Sequence, residues 1–221
     1  MFKISKEKQY QINRFLKNNI QKYPKQTQEY IRENIYKNEL SATLLQLYSY
    51  KDAIIKELNP YYQFAELIKN KFNHLETKKI TEVSCGFIPA ASIALNKTVN
   101  LSNKIDVYDP FLINIHYLNI NNHKTCFTEL SEPNTDLLMA HLPCEALLLI
   151  TKIALMQKKE MIVQTCKCFN GNNFSKSQFT YYIDSLIYQL KQLEDFGFII
   201  ETEKNDLSKL MNCPIILARK K

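Results

Sequence analysis

The chain is predicted to be an α/β protein: a seven-stranded sheet whose last strand runs antiparallel, preceded by an N-terminal helical extension. Three observations predict it. Five short apolar, β-branched runs between residues 80 and 166 alternate with helical patterns or loops, which implies parallel strands joined by crossovers. Two further runs, Phe198 to Lys204 and Pro214 to Lys220, have no full helical pattern between them, so they should pair antiparallel. Residues 1–58 carry helical spacing and no strand pattern.

In chain order, Ile12, Phe15, Leu16 and Ile20 recur on one helical face until Pro24 breaks the pattern. Gln28 to Tyr36 and Ser41 to Leu58 give two more helices. Asn59-Pro60 is a helix start, with Asn as N-cap and Pro in the first turn, and the helix should run to about Asn73. Its apolar residues, including Phe64, Ile68 and Phe72, should pack on the sheet. Ile80 to Ser84 is the first strand, Cys85-Gly86 a tight turn, and Ala90 to Leu95 a helix with Pro89 near its start. Lys104 to Tyr108 is the second strand, ending on Asp109-Pro110. Phe111 to Asn119 reads as a helix, Lys124 to Leu130 as the third strand, and Asp136 to His141 as the fourth. Glu145 to Lys158 is a helix, Met161 to Cys166 the fifth strand, and Phe169 to Ser175 a loop. Ser177 to Phe196 is one long helix closed by Gly197.

Composition narrows the partners. The net charge is +7, and all of it lies early: residues 1–79 hold 15 basic and 8 acidic side chains, and residues 80–221 hold 14 of each. Aromatics interleave with the cations: Tyr10, Arg14, Phe15, Lys17, Lys22, Tyr23, Lys25, Tyr30, Arg32, Tyr36 and Lys37. That pattern points to a polyanion, with Arg14, Lys17, Lys22, Lys25, Arg32 and Lys37 as candidate RNA contacts. The bland alternative is a helical bundle with a solvated basic face. The apolar stretch Leu137 to Met156 contains His141, Pro143, Glu145 and Lys152, so it reads as a buried strand and helix, with no membrane partner expected. No apolar leader is visible at the N-terminus. Six scattered cysteines without a CxxC read as reduced thiols of a cytoplasmic protein, and no metal is expected.

The chemistry gathers around KITEVSCGFIPAASIALNKTVNLSNKIDVYDP, residues 79–110. Strand, Gly turn, helix, strand and carboxylate follow one another, with Asp109 standing 23 positions after Gly86. Nucleotide-type cofactors use that order. The turn admits the ligand to the backbone, the helix start offers free N–H groups, and the acid takes a ribose hydroxyl pair. Of the three glycines of a full dinucleotide fingerprint only Gly86 is present. The competing reading of Asp109 is an Asp-Pro turn former. His141, at a strand end, is either a structural hydrogen-bonder or a catalytic contact. Glu145 reads as a first-turn helix acid, and Glu82 as a mid-strand acid that would be costly if buried and unpaired.

Seven strands closing in a hairpin, together with EVSCG, VYDP, DLLMAHLPCEA, GFIIETEK and CPIILARKK, resemble the class I S-adenosylmethionine-dependent methyltransferases over residues 59–221. The resemblance implies a Rossmann-like domain over 59–221 behind a basic helical extension over 1–58, with S-adenosyl-L-methionine as cofactor. It implies that Cys85 and Gly86 back the methionine part and that Glu82 reaches its amino group. Asp109, with Pro110 beside it, would take the ribose hydroxyls, and Glu129 and Leu130 would flank the adenine. His141, Leu142 and Pro143 would line the methyl-transfer mouth. Within that family, Cys85-Gly86-Phe87-Ile88-Pro89 and VYDPFLINIHYLNI are similar to loops of the aminoglycoside-resistance-type ribosomal RNA methyltransferases, which implies RNA, and the ribosomal small subunit, as partner. GFIPAASIAL also resembles a loop of nicotianamine synthase-like enzymes, which move the aminobutyrate arm of the same cofactor. An inactive methyltransferase-like RNA-binding module is the third alternative.

Overall fold

The computed structural model describes residues 60–86, 89–112, 119–131, 134–143, 146–166, 168–169, 172–173, 175–203 and 213–221, with residues 10, 13 and 17. The elements are α1 (Pro60–Lys71), β1 (Ile80–Val83), α2 (Ala90–Thr98), β2 (Ile105–Tyr108), β3 (Ile120–His123), β4 (Leu137–His141), α3 (Ala146–Gln157), β5 (Glu160–Gln164), β6 (Cys168–Phe169), β7 (Asn172–Asn173), α4 (Lys176–Leu190), β8 (Phe198–Glu203) and β9 (Ile215–Lys220).

Seven strands form one sheet in the order β3-β2-β1-β4-β5-β9-β8. The pairs β1–β2, β1–β4, β2–β3 and β4–β5 are parallel. Strand β9 is antiparallel to both neighbours, β5 and β8. This is the Rossmann-like methyltransferase fold expected from the sequence. The order reverses between β1 and β4, and that switch point opens a crevice beyond their C-terminal ends.

The central strands are buried along their whole length, as parallel strands covered on both faces must be. On one face α1 and α2 pack through Phe64, Ile68, Phe72, Ala94 and Leu95 onto Ile80, Ile105, Val107, Leu137 and Met139. On the other, α3 and α4 pack through Ile150, Ile153, Ile183, Leu186 and Leu190 onto Leu138, Ala140, Met161 and Val163. Alternate residues of β4 thus serve opposite cores. The helix starting at Pro60 does pack on the sheet, through the face its apolar residues marked. Lys71, at its C-terminal end, pairs with Glu201 and Glu203 of β8, tying the helix to the far edge of the sheet.

Three expectations of local secondary structure need correction, and a fourth falls mostly outside the described residues. The third strand is Ile120–His123 and not Lys124 to Leu130. It is an edge strand of sequence INNH with one buried residue, so no apolar alternation marks it. Polar pairing holds it instead: Asp106 Oδ1 accepts from Asn121 Nδ2 at 3.1 Å and bonds His123 Nε2 at 2.8 Å. Of the helix expected over 111–119, residues 113–118 lie outside the described residues, and Asn119 is already a turn. The expected long helix is α4 followed by a 3₁₀ segment, Lys191–Phe196, before Gly197 at φ 81°. Ser175 caps α4 in a reciprocal pair with Gln178. Finally, the expected loop after β5 contains the small hairpin β6–β7. Cys166 is disulfide-bonded, against the reading of reduced thiols, while Cys85, Cys126 and Cys213 are free.

No described helix is long and apolar enough to cross a membrane. Among the described residues no cluster of three or more His, Cys, Asp or Glu could hold a metal. The helices expected over residues 1–58 lie outside the described residues, apart from helical positions at 10, 13 and 17.

Candidate functional site

A cavity of about 700 Å³ opens beyond the C-terminal ends of β1, β2 and β4. Its walls include Tyr61 from α1, Val83 to Gly86 after β1, Tyr108 to Phe111 after β2, Cys126 and Phe127 after β3, and His141 to Pro143 after β4. The volume lies in the range of small-molecule and cofactor sites.

The site is built around one carboxylate bridging two turns. Asp109 Oδ2 accepts a hydrogen bond from Gly86 N at 2.8 Å, and Oδ1 accepts from Phe111 N at 2.8 Å. The turn after β1 is thereby clamped to the turn after β2. Gly86 sits at φ 73°, where a side chain would be strained, and a Cβ there would meet nothing within 4 Å. The glycine therefore serves the turn's conformation, and the space above it stays open. Burial pushes the Asp109 carboxyl above its ordinary range, and the N–H groups of Phe111 and Gly86 partly pull it back. A carboxylate offers about four lone-pair sites, so two bonds leave capacity for a ligand.

Glu82 lies one layer deeper and does not line the cavity. Its Oε2 accepts from Ser92 N at 3.0 Å and from the Ser92 hydroxyl. It anchors the first turn of α2, whose start has no side-chain cap of its own. Burial raises its pKa to about 7, the Ser92 bonds opposing the shift.

The His141 ring is boxed by Tyr61, centroids 4.7 Å apart and tilted, and by Phe64, 5.5 Å apart and edge-on. Burial lowers its pKa to about 4, so the imidazole is neutral at pH 7. Its Nε2 is buried with no hydrogen-bond partner. Tyr108 stacks on His123 at 4.3 Å and meets Phe127 edge-on at 5.3 Å, making an aromatic wall.

The structure thus brings Cys85, Gly86, Asp109, Pro110, His141 and Pro143 to one cavity. It places Glu82 behind the wall. Glu129 and Leu130 lie outside it: Glu129 pairs with Lys152 and Leu130 is exposed. With β3 ending at His123, the residues reaching the cavity from that side are Cys126 and Phe127 instead. Lys17 is helical and exposed; Arg14, Lys22, Lys25, Arg32 and Lys37 lie outside the described residues. Sequence reasoning missed Tyr61, Ser84, Tyr108, Phe111, Cys126 and Phe127. Most stand within a few residues of a strand's C-terminal end, which is the signal that could have found them. Tyr61 comes from a helix whose place above the crevice no local pattern reveals.

No family model matches the chain, and no curated protein matches it. Among solved structures it is similar to magnesium protoporphyrin IX methyltransferase from Synechocystis PCC 6803 with bound SAH, at 12% identity over 86% of this chain and 97% of that one, TM-score 0.48. It is similar to human N-acetylserotonin methyltransferase in complex with SAM, at 14% identity over 96% of this chain and 67% of that one, TM-score 0.44. A mutant of MtNAS in complex with S-adenosylmethionine matches at 12% identity over 99% of both chains, TM-score 0.44. The fold class follows from this chain's own strand order and registers.

Proposed function

We propose that the chain is an S-adenosylmethionine-dependent methyltransferase whose acceptor is RNA. The observation that carries the first part is the Asp109–Gly86 clamp at the topological switch point: a carboxylate ending β2, held against an open glycine turn ending β1. The lining suits that cofactor. It combines one carboxylate with the rings of Tyr61, Tyr108, Phe111 and Phe127, and the described lining residues include no Lys or Arg. Such a wall favours a cation and a flat heterocycle together. In this reading Asp109 takes the ribose hydroxyls, Cys85 and Gly86 face the methionine part, and Tyr108 and Phe127 flank the base. His141 and Pro143 line the mouth. Glu82 acts through Ser92 and α2, holding the turn in place.

When bound, the cofactor supplies an electrophilic methyl group. The chain has then to orient an acceptor about 3 Å away and exclude water, which asks for placement more than for acid–base chemistry. The RNA part rests on the charge surplus of residues 1–79 and its interleaved aromatics.

Calorimetric titration with S-adenosylhomocysteine tests the cofactor site, and absence of binding at millimolar ligand refutes it. Mass spectrometry of the nucleoside product after incubation with cell extract separates methyl transfer, which leaves S-adenosylhomocysteine, from aminobutyrate transfer, which leaves methylthioadenosine. Finding methylthioadenosine alone would overturn the methyltransferase reading.

A further inference from the structure

Among the described residues lining the cavity, His141 alone has a buried side-chain polar atom without a hydrogen-bond partner, its Nε2. The residue is 9% exposed. An unpaired polar atom at that depth costs stability, and such atoms are few in folded proteins. The ring does bond its own main chain, in the sense that favours a ring N–H. With Nε2 unpartnered, the nitrogen making that bond is Nδ1. In the neutral ring Nε2 therefore carries a free lone pair and acts as an acceptor.

The backbone that carries this ring is fixed. His141 ends β4 opposite Gln164 of β5. Leu142 follows at φ 58°, and its N–H donates to Gln164 O at 2.9 Å. A leucine holds the left-handed region only where its surroundings impose it, so the turn leaves the sheet at one place. Phe64, fully buried and outside the cavity lining, backs the ring. Tyr61, half-buried in the first turn of α1, touches both the ring and the cavity. A turn of the Tyr61 side chain therefore opens Nε2 to whatever enters.

A buried lone pair selects a donor. We propose that His141 Nε2 accepts a hydrogen bond from an N–H or O–H of the methyl acceptor and takes that proton during transfer, so that the substrate atom is a proton-bearing nitrogen or oxygen. The inference rests on the methyl-transfer reading above and narrows it to one acceptor chemistry. The acceptor's lone pair forms the new bond to carbon, and the S–CH₃ bond breaks with its electron pair left on sulfur. The acceptor, now cationic, passes its proton to Nε2, and the imidazolium releases it to water as product leaves. The site holds one sulfonium charge before the step and one imidazolium charge after it, so no net charge is created in the buried cavity. A ring nitrogen without a proton would set lone pair against lone pair, and a carbon would leave Nε2 unpaired. A site that bonds a substrate N–H or O–H rejects analogues lacking it.

The test uses the full chain with methyl-labelled S-adenosylmethionine and a cell extract split into RNA and small-molecule fractions. Mass spectrometry of the labelled product locates the methyl group. An exocyclic amine, an imino nitrogen or a hydroxyl is expected. Methyl on guanine N7, on adenine N1 or on carbon overturns the proposal. Label in the small-molecule fraction alone refutes the RNA acceptor, and the same requirement is then read on that product. His141→Leu supplies the second measurement. Its transfer rate to the labelled fraction should fall by about 100-fold or more, as for loss of a proton acceptor. Its affinity for S-adenosylhomocysteine should stay within about threefold of wild type. An unchanged rate overturns the contact, and so does a parallel loss of nucleoside affinity, because Nε2 would then serve the cofactor or the wall. No transfer by wild type to either fraction refutes the methyltransferase reading and the contact with it.

Discussion

Asp109→Asn is the sharpest test of how the cavity is held open. The two carboxylate oxygens each accept one backbone N–H at 2.8 Å, from Gly86 and from Phe111. Asparagine keeps one oxygen for one of these donors and turns an NH₂ group against the other. A lost bond to a charged acceptor is worth about 1.5–3 kcal/mol, and the remaining N–H is left poorly matched. Against this, the neutral amide escapes the burial cost that raises the carboxyl's pKa. The two effects leave a net destabilisation of about 1–2 kcal/mol, or roughly 2–8 °C in midpoint for a domain of this size. Urea unfolding followed by circular dichroism measures the stability, and calorimetry on the same samples measures S-adenosylhomocysteine affinity, which should fall by at least about tenfold. An Asn variant within about 0.5 kcal/mol of wild type, with unchanged affinity, would refute both the clamp and the ribose contact.

Other outcomes follow from the same geometry. Glu82 has a folded pKa of about 7 against an ordinary 4.5, so the unfolded chain loses its proton first as pH rises, and wild-type stability falls between pH 4.5 and 7 by on the order of 3 kcal/mol. Glu82→Gln, which keeps an acceptor for Ser92, should remove that slope; matching slopes for the two proteins in pH-stepped urea unfolding would contradict it. His141 behaves oppositely: its folded pKa of about 4 lies below the ordinary 6.5, so the unfolded chain takes up the proton first and stability falls as pH drops from 6.5 to 4. His141→Leu should flatten that acid branch, and an unchanged branch would place the ring in water. Replacing Arg14, Lys17, Lys22 and Lys25 by Ala should reduce the slope of log affinity against log salt for RNA by about three or four and spare nucleoside binding. Filter binding across a salt series decides this, and a flat wild-type salt dependence would rule out the RNA partner.

Much of the fold was legible because local pattern and burial agree in it. Leu137 to Ala140 and Met161 to Val163 are continuous apolar runs, and Ile80 to Val83 is apolar or β-branched apart from Glu82, because both faces of those strands are covered. Gly197 closes the helical segment before β8 because only a left-handed residue could do so without strain. The third strand was misplaced for the converse reason. An edge strand needs little burial, and INNH is held through Asp106, a long-range partner that periodicity cannot show.

The candidate site divides the same way. The order strand, Gly86, helix, strand, Asp109 is written in the chain, because a carboxylate at a strand end and a glycine in a turn are local requirements. That the two meet at 2.8 Å depends on parallel pairing of β1 with β2, in which Val83 lies opposite Tyr108. Only that register puts the two turns side by side. Glu82 shows the limit most clearly. In sequence it belongs to the same short motif as Gly86, yet the pleat turns its carboxylate under α2 to Ser92 and away from the cavity. Successive side chains of a strand point to opposite faces, so which acid meets the ligand was settled by strand register and helix packing, through contacts between residues that the sequence keeps apart.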